Sequence, residues 1–184
     1  MDLYYKSVGR NGVFLMNVPP SDKGVIATEE VAIIEEFTRM RESIFGVNLA
    51  DGATAEAKAI RGGSKEKYCP DNMLDGNFDT FFATDDDVKE TEIVFTLDGE
   101  KTFNRVQLQE YIPLGQRVKD FDILVKVGNS WEPWGEGETT TIGYKRIVLG
   151  DTVSTDAVKV VIKDSKACPV LNGFALYYDS VSGL

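Results

Sequence analysis

Apolar residues follow two successive patterns along the chain, and the first is helical. In residues 28–46, apolar side chains recur at three- and four-residue spacing, which is the period of a helix with one apolar face. They are Ile33, Ile34, Phe37, Met40 and Ile44. Thr28 is the expected N-cap and Gly46 the expected end of this helix. Residues 12–18 form a continuous apolar run, which predicts a strand buried on both faces. Residues 1–46 therefore predict one strand–turn–helix unit that cannot bury its own apolar face.

The second pattern, after residue 50, is typical of strands. Short apolar segments alternate with turns rich in Gly, Asp and Pro, and no amphipathic helix is evident. Six segments have the composition of strands: 92–97, 103–109, 121–127, 145–149, 157–162 and 173–178. In the third of them, Phe121, Ile123 and Val125 occupy alternate positions, as on one face of a half-buried strand. Many short strands at this spacing predict a β-sandwich.

Charge and composition narrow the possible functions. Lys and Arg total 20 against 30 Asp and Glu, giving a net charge of −10, so a nucleic-acid partner is not expected. The absence of histidine excludes Ser-His-Asp and His-metal sites. The apolar stretches are too short to span a membrane, and the N-terminus lacks the apolar region of a signal peptide.

The two cysteines leave two interpretations open. Cys69 and Cys168 each precede a proline in a loop-like stretch. They are either buried free thiols or the two ends of one disulfide that closes a long loop, and the residues alone do not decide between these.

Residues 4–24 carry a long and ordered motif. They resemble the last barrel strand of family 29 glycoside hydrolases, the α-L-fucosidases, which carry a phrase of the type S-x-G-x-N-G-x-L-L-L-N-x-P-P-x-x-x-G. The matching residues are Ser7, Gly9, Asn11, Gly12, Leu15, Asn17, Pro19, Pro20 and Gly24.

A second resemblance covers most of the remaining chain. Residues 74–84, 103–111 and 173–177 are similar to a discoidin, or factor 5/8 type C, domain, the fold of carbohydrate-binding module family 32. Segments 109–118 and 140–146 resemble the C-terminal sandwich of bacterial fucosidases. The implied fold is mainly β: a discoidin-like (galactose-binding-like) jelly-roll β-sandwich preceded by one β/α unit left from a (β/α)8 barrel. The implied domains are 1–46, an incomplete piece of that barrel, and 47–184, the carbohydrate-binding sandwich.

The resemblance implies a role without catalysis. The family uses an Asp nucleophile that lies upstream of the strand seen here, so no catalytic residue is expected in this chain. We therefore expect a carbohydrate-binding or scaffolding module from the C-terminus of a bacterial α-L-fucosidase. Its partners would be fucose- or galactose-containing glycans and the catalytic barrel of the parent, located in the periplasm, secreted or at the cell surface. The alternatives are a module of another glycosidase, such as a β-hexosaminidase, and a purely structural domain that buttresses the barrel.

One turn has the composition of a calcium site. Residues 74–80 place Asp75, Asn77 and Thr80 close together, and oxygen donors at this density suit a hard cation. In the family the matching loop often holds structural Ca²⁺, together with a Glu at the position that is Gly173 here. The alternative is an Asx-rich turn closed by its own hydrogen bonds.

Two segments, 110–117 and 142–146, combine aromatic, amide and cationic side chains. They contain the candidates for carbohydrate-binding or interdomain contact, which are Glu110, Tyr111, Gln116, Arg117, Tyr144, Lys145 and Arg146. Rings and planar donors bind sugars, but Arg and Tyr are also frequent in domain interfaces, so both interpretations remain. Residues 85–87 are expected to be a solvated loop, and Trp131 and Trp134 either stack on a sugar or pack at an edge of the sandwich.

Overall fold

The protein is built mainly from antiparallel strands, as its alternating segments predict. The computed structural model describes residues 1–64, 66–135, 137 and 139–181. The helices and strands within these residues are α1 (Asp2–Ser7), α2 (Thr28–Phe45), β1 (Thr54–Ala57), β2 (Phe82–Ala83), β3 (Thr91–Glu110), β4 (Val118–Val127), β5 (Ser130–Trp134), β6 (Arg146–Ser165) and β7 (Val170–Tyr177). Three short 3₁₀ helices connect them, at Arg61–Gly63, Pro70–Met73 and Ile112–Leu114. In this part of the chain, no helix is long and apolar enough to cross a membrane.

The strands form two layers because β3 and β6 each belong to both. The hydrogen-bonded order is β2-β7-β3-β6-β4-β5, with β1 paired to β3. The first part of β3 pairs with β1 and with the second part of β6. After a register shift between Thr96 and Lys101, its second part pairs with β7 and with the first part of β6. The rings of Phe95 and Phe174, one from each layer, stack with centroids 3.7 Å apart in the core between the layers.

All six predicted strand segments overlap strands of the structure, and only residues 145 and 178 fall outside them. Segments 92–97 and 103–109 are the two parts of β3, and segments 145–149 and 157–162 fall on the two parts of β6. The sequence did not show that each pair is one continuous strand of 20 residues. It also missed the three shortest strands, β1, β2 and β5.

The N-terminal segment is partly as predicted. Helix α2 is confirmed, and its C-cap is Gly46. Thr28 is the first helical residue rather than the N-cap, which is Ala27 and makes no side-chain capping bond. The helix packs on the sandwich through Ile44 and Phe45, which contact Ala175 and Tyr177 of β7.

The strand predicted at residues 12–18 is wrong. This stretch has no regular secondary structure, and Val13 and Leu15 are 87% and 85% exposed. A strand buried on both faces needs a hydrogen-bonded neighbour on each side. Among the described residues, only the isolated bridges at Arg10 and Pro20 flank the stretch. The predicted β/α unit is therefore not seen as such, although its helix is present.

The cysteines are free thiols, with Cys168 buried and Cys69 partly buried. Of the two interpretations that the sequence left open, the structure shows the unbridged one.

Candidate functional site

The carboxylate of Glu110 joins the two segments that the sequence singled out. Glu110 is 2% exposed. Its Oε1 accepts hydrogen bonds from the backbone N–H of Arg117 (2.7 Å) and Val118 (2.9 Å), and its Oε2 accepts one from Gly143 (2.7 Å). The backbone N–H of Glu110 in turn donates to the carbonyl of Gly143. Glu110 therefore holds the loops together and does not face a ligand.

The second segment lies against the N-terminal segment. The backbone N–H of Tyr144 donates to Asn11 Oδ1 (2.8 Å), and the N–H of Asn11 donates to the carbonyl of Lys145 (3.0 Å). Gly143 permits this approach, since it has φ +67° and a Cβ there would lie 2.5 Å from the Asn11 amide. Tyr144 as a whole residue is 58% exposed. Sugar contact by Tyr144, Lys145 and Arg146 stays a prediction.

Burial changes the pKa of two basic side chains in this segment. Burial lowers the pKa of Lys145. Burial, and to a smaller extent the charge of Arg10, lowers the pKa of Arg146. The Nε of Arg146 is buried without a hydrogen-bond partner among the described residues.

The first segment lines a cavity of about 270 Å³, which we call the arginine pocket. The residues that define it are Arg61, Tyr68, Phe81, Asp86, Arg117 and Cys168. One wall is aromatic: Phe81 stacks on Tyr111, with centroids 4.5 Å apart and planes at 22°, and Tyr68 lies 5.5 Å from Phe81. Arg117 thus lies in the pocket and Tyr111 behind its wall, whereas Gln116 is exposed on the adjoining loop.

The polar side of the arginine pocket contains an ion pair and a second guanidinium. Arg61 Nη1 donates to Asp86 Oδ1 at 2.6 Å and to the carbonyl of Thr84 at 3.2 Å. The hydrogen bond between them raises the pKa of Arg61 and lowers the pKa of Asp86. Residues 85–87 are exposed, as expected of a solvated loop, and Asp86 in addition pairs with Arg61.

Arg117 is held by backbone and thiol rather than by a carboxylate. Its Nη1 donates to the carbonyl (3.0 Å) and the Sγ (2.9 Å) of Cys168, and its Nε donates to the carbonyl of Leu114. Its Nη2 has no hydrogen-bond partner in the part of the chain that the structure describes. The arrangement thus offers a fixed guanidinium, an ion pair and an aromatic wall around one cavity.

Sequence reasoning missed Arg61, Tyr68, Phe81 and Asp86 as members of this site. They come from two loops that are distant from Arg117 along the chain, and only the fold brings them together. The one available signal in the sequence was the Gly62-Gly63 pair, which indicates a sharp turn next to Arg61, and both glycines do have positive φ in the structure.

The predicted calcium loop is closed by its own hydrogen bonds. Asp75 Oδ1 accepts from the N–H of Asn77 (2.7 Å), and Asp75 Oδ2 accepts from the hydroxyl of Thr80 (2.5 Å). Asn77 Oδ1 accepts from the N–H of Asp79 (3.0 Å). The described residues contain no group of three or more Asp, Glu, His or Cys side chains placed to hold a metal. The donors are hard oxygens, as Ca²⁺ requires, but they include a single carboxylate whose two oxygens are both engaged.

The two tryptophans make contacts within the protein. Trp134 Nε1 donates to the carbonyl of Asp151 (2.8 Å), and its ring meets Phe103 edge-on. The ammonium of Lys159 lies 4.6 Å from the centroid of the Trp131 ring. Neither ring lines the arginine pocket.

Comparisons with known proteins find one domain family and a set of α-L-fucosidases. The model of the F5/8 type C domain family matches residues 53–175. Two curated plant relatives are named as α-L-fucosidases. The one from Oryza sativa subsp. japonica is 38% identical over 99% of this chain and 35% of its own length, and the one from Arabidopsis thaliana is 33% identical over 100% of this chain and 36% of its own length. The GH29 fucosidase of Ruminococcus gnavus, solved in complex with fucose, superposes with a TM-score of 0.88 at 32% identity, covering 97% of this chain and 36% of that one. The chain thus spans about a third of the length of these relatives.

Proposed function

Because the chain belongs to the F5/8 type C domain family, we propose that it is a non-catalytic carbohydrate-binding module of a longer α-L-fucosidase. The catalytic carboxylates would lie on the part of the longer protein that this chain does not contain. The relatives support an α-L-fucosidase parent over the alternative of a β-hexosaminidase. We place the parent in the periplasm or outside the cell, where it meets glycans.

The arginine pocket is the observation that carries this proposal. Sugars present hydroxyl groups around an apolar face of C–H bonds, so their sites combine aromatic rings with a few fixed polar groups. Phe81, backed by Tyr111, supplies the ring surface, while Asp86 and the two arginines supply an acceptor and planar donors. At about 270 Å³, the cavity is slightly smaller than typical small-molecule pockets of about 300–1,000 Å³, which suits one terminal sugar such as fucose or galactose.

Calorimetric titration with fucose- and galactose-containing oligosaccharides tests the proposal. We expect Arg61→Ala to weaken binding about tenfold or more, since it removes a donor and frees Asp86 from its partner. Arg39→Ala is the matched control, because Arg39 also forms an exposed ion pair, with Glu36 on α2, far from the pocket along the chain. Absence of binding by the wild-type chain, or equal affinities for both variants, would contradict the proposal.

A specific observation favours structural support of the parent barrel as a second candidate. The N-terminal segment exposes Val13, Leu15 and Ile33, of which the first two are more than four-fifths exposed. Apolar side chains exposed in one segment are typical of a surface that another part of a protein covers. If this candidate alone holds, Val13→Ser with Leu15→Ser would lower the stability of the full-length enzyme, and no glycan would bind the chain.

Weak calcium binding at Asp75, Asn77 and Thr80 is also part of the proposal. A bound Ca²⁺ would stabilise the loop and take no part in chemistry. The low charge of the donor set favours weak affinity.

A further inference from the structure

A second cavity, of about 290 Å³, lies on the outer side of the layer that β7 forms with the second part of β3. We call it the amide pocket. Its defining residues are Asn48, Asn77, Phe78, Gln107, Gln109 and Asn172. On β3, Val106 and Leu108 point into the core, so Gln107 and Gln109 face outward into this cavity. Among the residues that the structure describes, no lysine or arginine lines it, which distinguishes it from the arginine pocket.

The two glutamines are oriented by a chain of hydrogen bonds. Gln109 Nε2 donates to the carbonyl of Tyr144 (3.1 Å), and Gln107 Nε2 donates to Gln109 Oε1 (3.2 Å). This chain leaves Gln107 Oε1 without a partner among the described residues. Gln107 is 8% exposed, so this acceptor is held in place rather than moving freely in solvent.

A β-bulge places Asn172 at the same cavity. Gln109 pairs with Gly173 and Glu110 pairs with Leu171, so Asn172 has no residue opposite it on β3. Bulges re-aim side chains and occur often beside binding sites. The Nδ2 of Asn172 lies 3.4 Å from the carbonyl of Phe78, and its Oδ1 is buried with no hydrogen-bond partner among the described residues. A buried acceptor of this kind is unfavourable unless a ligand or water donates to it.

Glycine at position 173 makes room for the amides. A Cβ on Gly173 would lie 2.7 Å from Gln109 Oε1, so any larger residue would displace this side chain. On another wall, Asn48 Oδ1 accepts from the N–H groups of Ala50 and Leu176, which leaves its Nδ2 as a donor.

The rim supplies an apolar surface. Phe78 is 63% exposed and belongs to the loop that the Asp75 and Asn77 side chains close. Its ring is therefore presented to solvent on an ordered turn. The carboxylates at the cavity are Asp51 and Asp75, which disfavour an anionic ligand.

From these contacts we infer that the amide pocket is a second binding site, specific for a neutral polyhydroxylated ligand such as an uncharged hexose residue. Carboxamides both donate to and accept from hydroxyl groups without contributing charge, and Phe78 packs against the C–H face of the ring. The inference goes beyond the proposed function, because it adds a second sugar site that shares no residue with the arginine pocket. It borders the calcium loop, whose Asp75 and Asn77 also line it.

The test maps backbone amide shifts of the wild-type chain by NMR during titration with methyl β-D-galactopyranoside and methyl α-L-fucopyranoside, in EDTA. Sodium galacturonate is the charged counterpart. We expect at least one neutral glycoside to shift residues around Gln107, Asn172 and Phe78, with little effect of galacturonate. Wild-type mapping needs no variant and so does not depend on the folding of a mutant.

Variants then separate the two pockets. We expect Asn172→Ala and Gln107→Ala each to weaken this binding about tenfold or more, while Arg61→Ala leaves it unchanged. Binding that Arg61→Ala abolishes and Asn172→Ala spares would support the arginine pocket and overturn this inference. The inference is equally overturned if neither neutral glycoside shifts residues around Gln107, Asn172 and Phe78, or if galacturonate shifts them as strongly. Because Asp75 and Asn77 of the proposed calcium loop also line this cavity, CaCl₂ by itself is expected to shift nearby amides, and the EDTA removes that effect.

Discussion

At the scale of single residues, the carboxylate of Glu110 supplies partners that two loops cannot supply for each other. Three backbone N–H groups, from Arg117, Val118 and Gly143, point at its two oxygens at 2.7–2.9 Å. Hydrogen bonds to an ionised acceptor are stronger than neutral ones, and these are buried. The conformation of both loops therefore depends on one side chain.

We expect Glu110→Gln to lower the free energy of unfolding by about 2–4 kcal/mol. The amide keeps one acceptor oxygen but directs an NH₂ group at backbone N–H donors, which leaves them unsatisfied. Urea denaturation followed by tryptophan fluorescence measures the change.

Glu132→Gln, at an exposed position of β5, is the control and should change stability by less than about 0.5 kcal/mol. Equal denaturation midpoints for the two variants would show that Glu110 does not hold the loops.

The sequence identified these residues by type but not by direction. Glu110, Tyr111 and Arg117 were candidates for either sugar or interdomain contact. In the structure Glu110 binds backbone N–H groups, Tyr111 stacks on Phe81, and Arg117 lines the arginine pocket. Residue type indicates which bonds a side chain can form, whereas the direction in which it points depends on register. Between Gln109 and Glu110 of β3, that register is shifted by the bulge at Asn172 of β7.

At the scale of elements, the 75–80 loop is an example of a turn that is stable without a ligand. Its Asx turns satisfy the N–H groups of Asn77 and Asp79, and the hydroxyl of Thr80 closes the ring to Asp75. A cation would have to compete with these bonds for the same oxygens.

We expect Ca²⁺ to raise the melting temperature of the wild-type chain by about 3–6 °C between EDTA and 10 mM CaCl₂. This follows from a Kd of about 1 mM, at the weak end for oxygen sites, together with binding to the folded state alone. Asp75→Ala should abolish the rise, and differential scanning calorimetry measures it within each variant.

Asp79→Ala is the matched control, because only the backbone of Asp79 takes part in the turn. It should keep most of the rise. A wild-type melting temperature that does not respond to calcium would show that the loop is only an Asx turn.

The success of strand prediction also depended on the element. Strands with clear alternation, such as the 121–126 part of β4, were found because one face is buried and the other is only partly buried. Thr54–Ala57 and Ser130–Trp134 are short, and they lack the run of β-branched residues that marks a strand. Residues 12–18 were misassigned because an apolar run indicates burial but does not show which strands, if any, pair with it.

At the scale of the whole molecule, both ends of the described chain meet in one buried cluster. The hydroxyl of Tyr5 donates to Asp179 Oδ2 at 2.5 Å, and Arg105 Nη2 donates to the same oxygen at 3.2 Å. Arg105 is 2% exposed, and its guanidinium lies 4.9 Å from the centroid of the Tyr5 ring. Helix α1 is thereby attached to the residues that follow β7.

From the raised pKa of Tyr5 and of two neighbouring tyrosines, we expect the protein to lose stability at alkaline pH. Burial, and then the hydrogen bond to Asp179, raise the pKa of Tyr5, and burial also raises the pKa of Tyr4 and Tyr177. A raised pKa means that the folded state holds its protons when the unfolded state has released them. Stability is therefore complete below the unfolded value of about 10 and falls as the pH rises above it.

We expect Tyr5→Phe to lower the free energy of unfolding at pH 7 by about 1–3 kcal/mol and to flatten its decline above pH 10. Tyr4→Phe is the matched control on the same helix. Its hydroxyl makes no hydrogen bond to a described residue, so only the alkaline slope should change. Denaturation in guanidinium chloride at pH 7 and pH 10.5 measures both effects, and a Tyr5→Phe variant as stable as Tyr4→Phe at pH 7 would refute the attachment.

The sharing of β3 and β6 between the two layers has a consequence for the order in which the chain folds. Thr91 pairs with Ile162, and Leu108 pairs with Arg146, so neither layer can be completed from neighbouring segments. When residues this distant along the chain come into contact, long loops must close, and the chain loses entropy before packing stabilises it. During synthesis, residues 91–110 therefore leave the ribosome before β6 and β7, two of the strands that pair with them, have been made. Until β6 has been made, only the four-residue β1 can pair with this strand, so most of its backbone N–H and C=O groups are open to pairing with another chain.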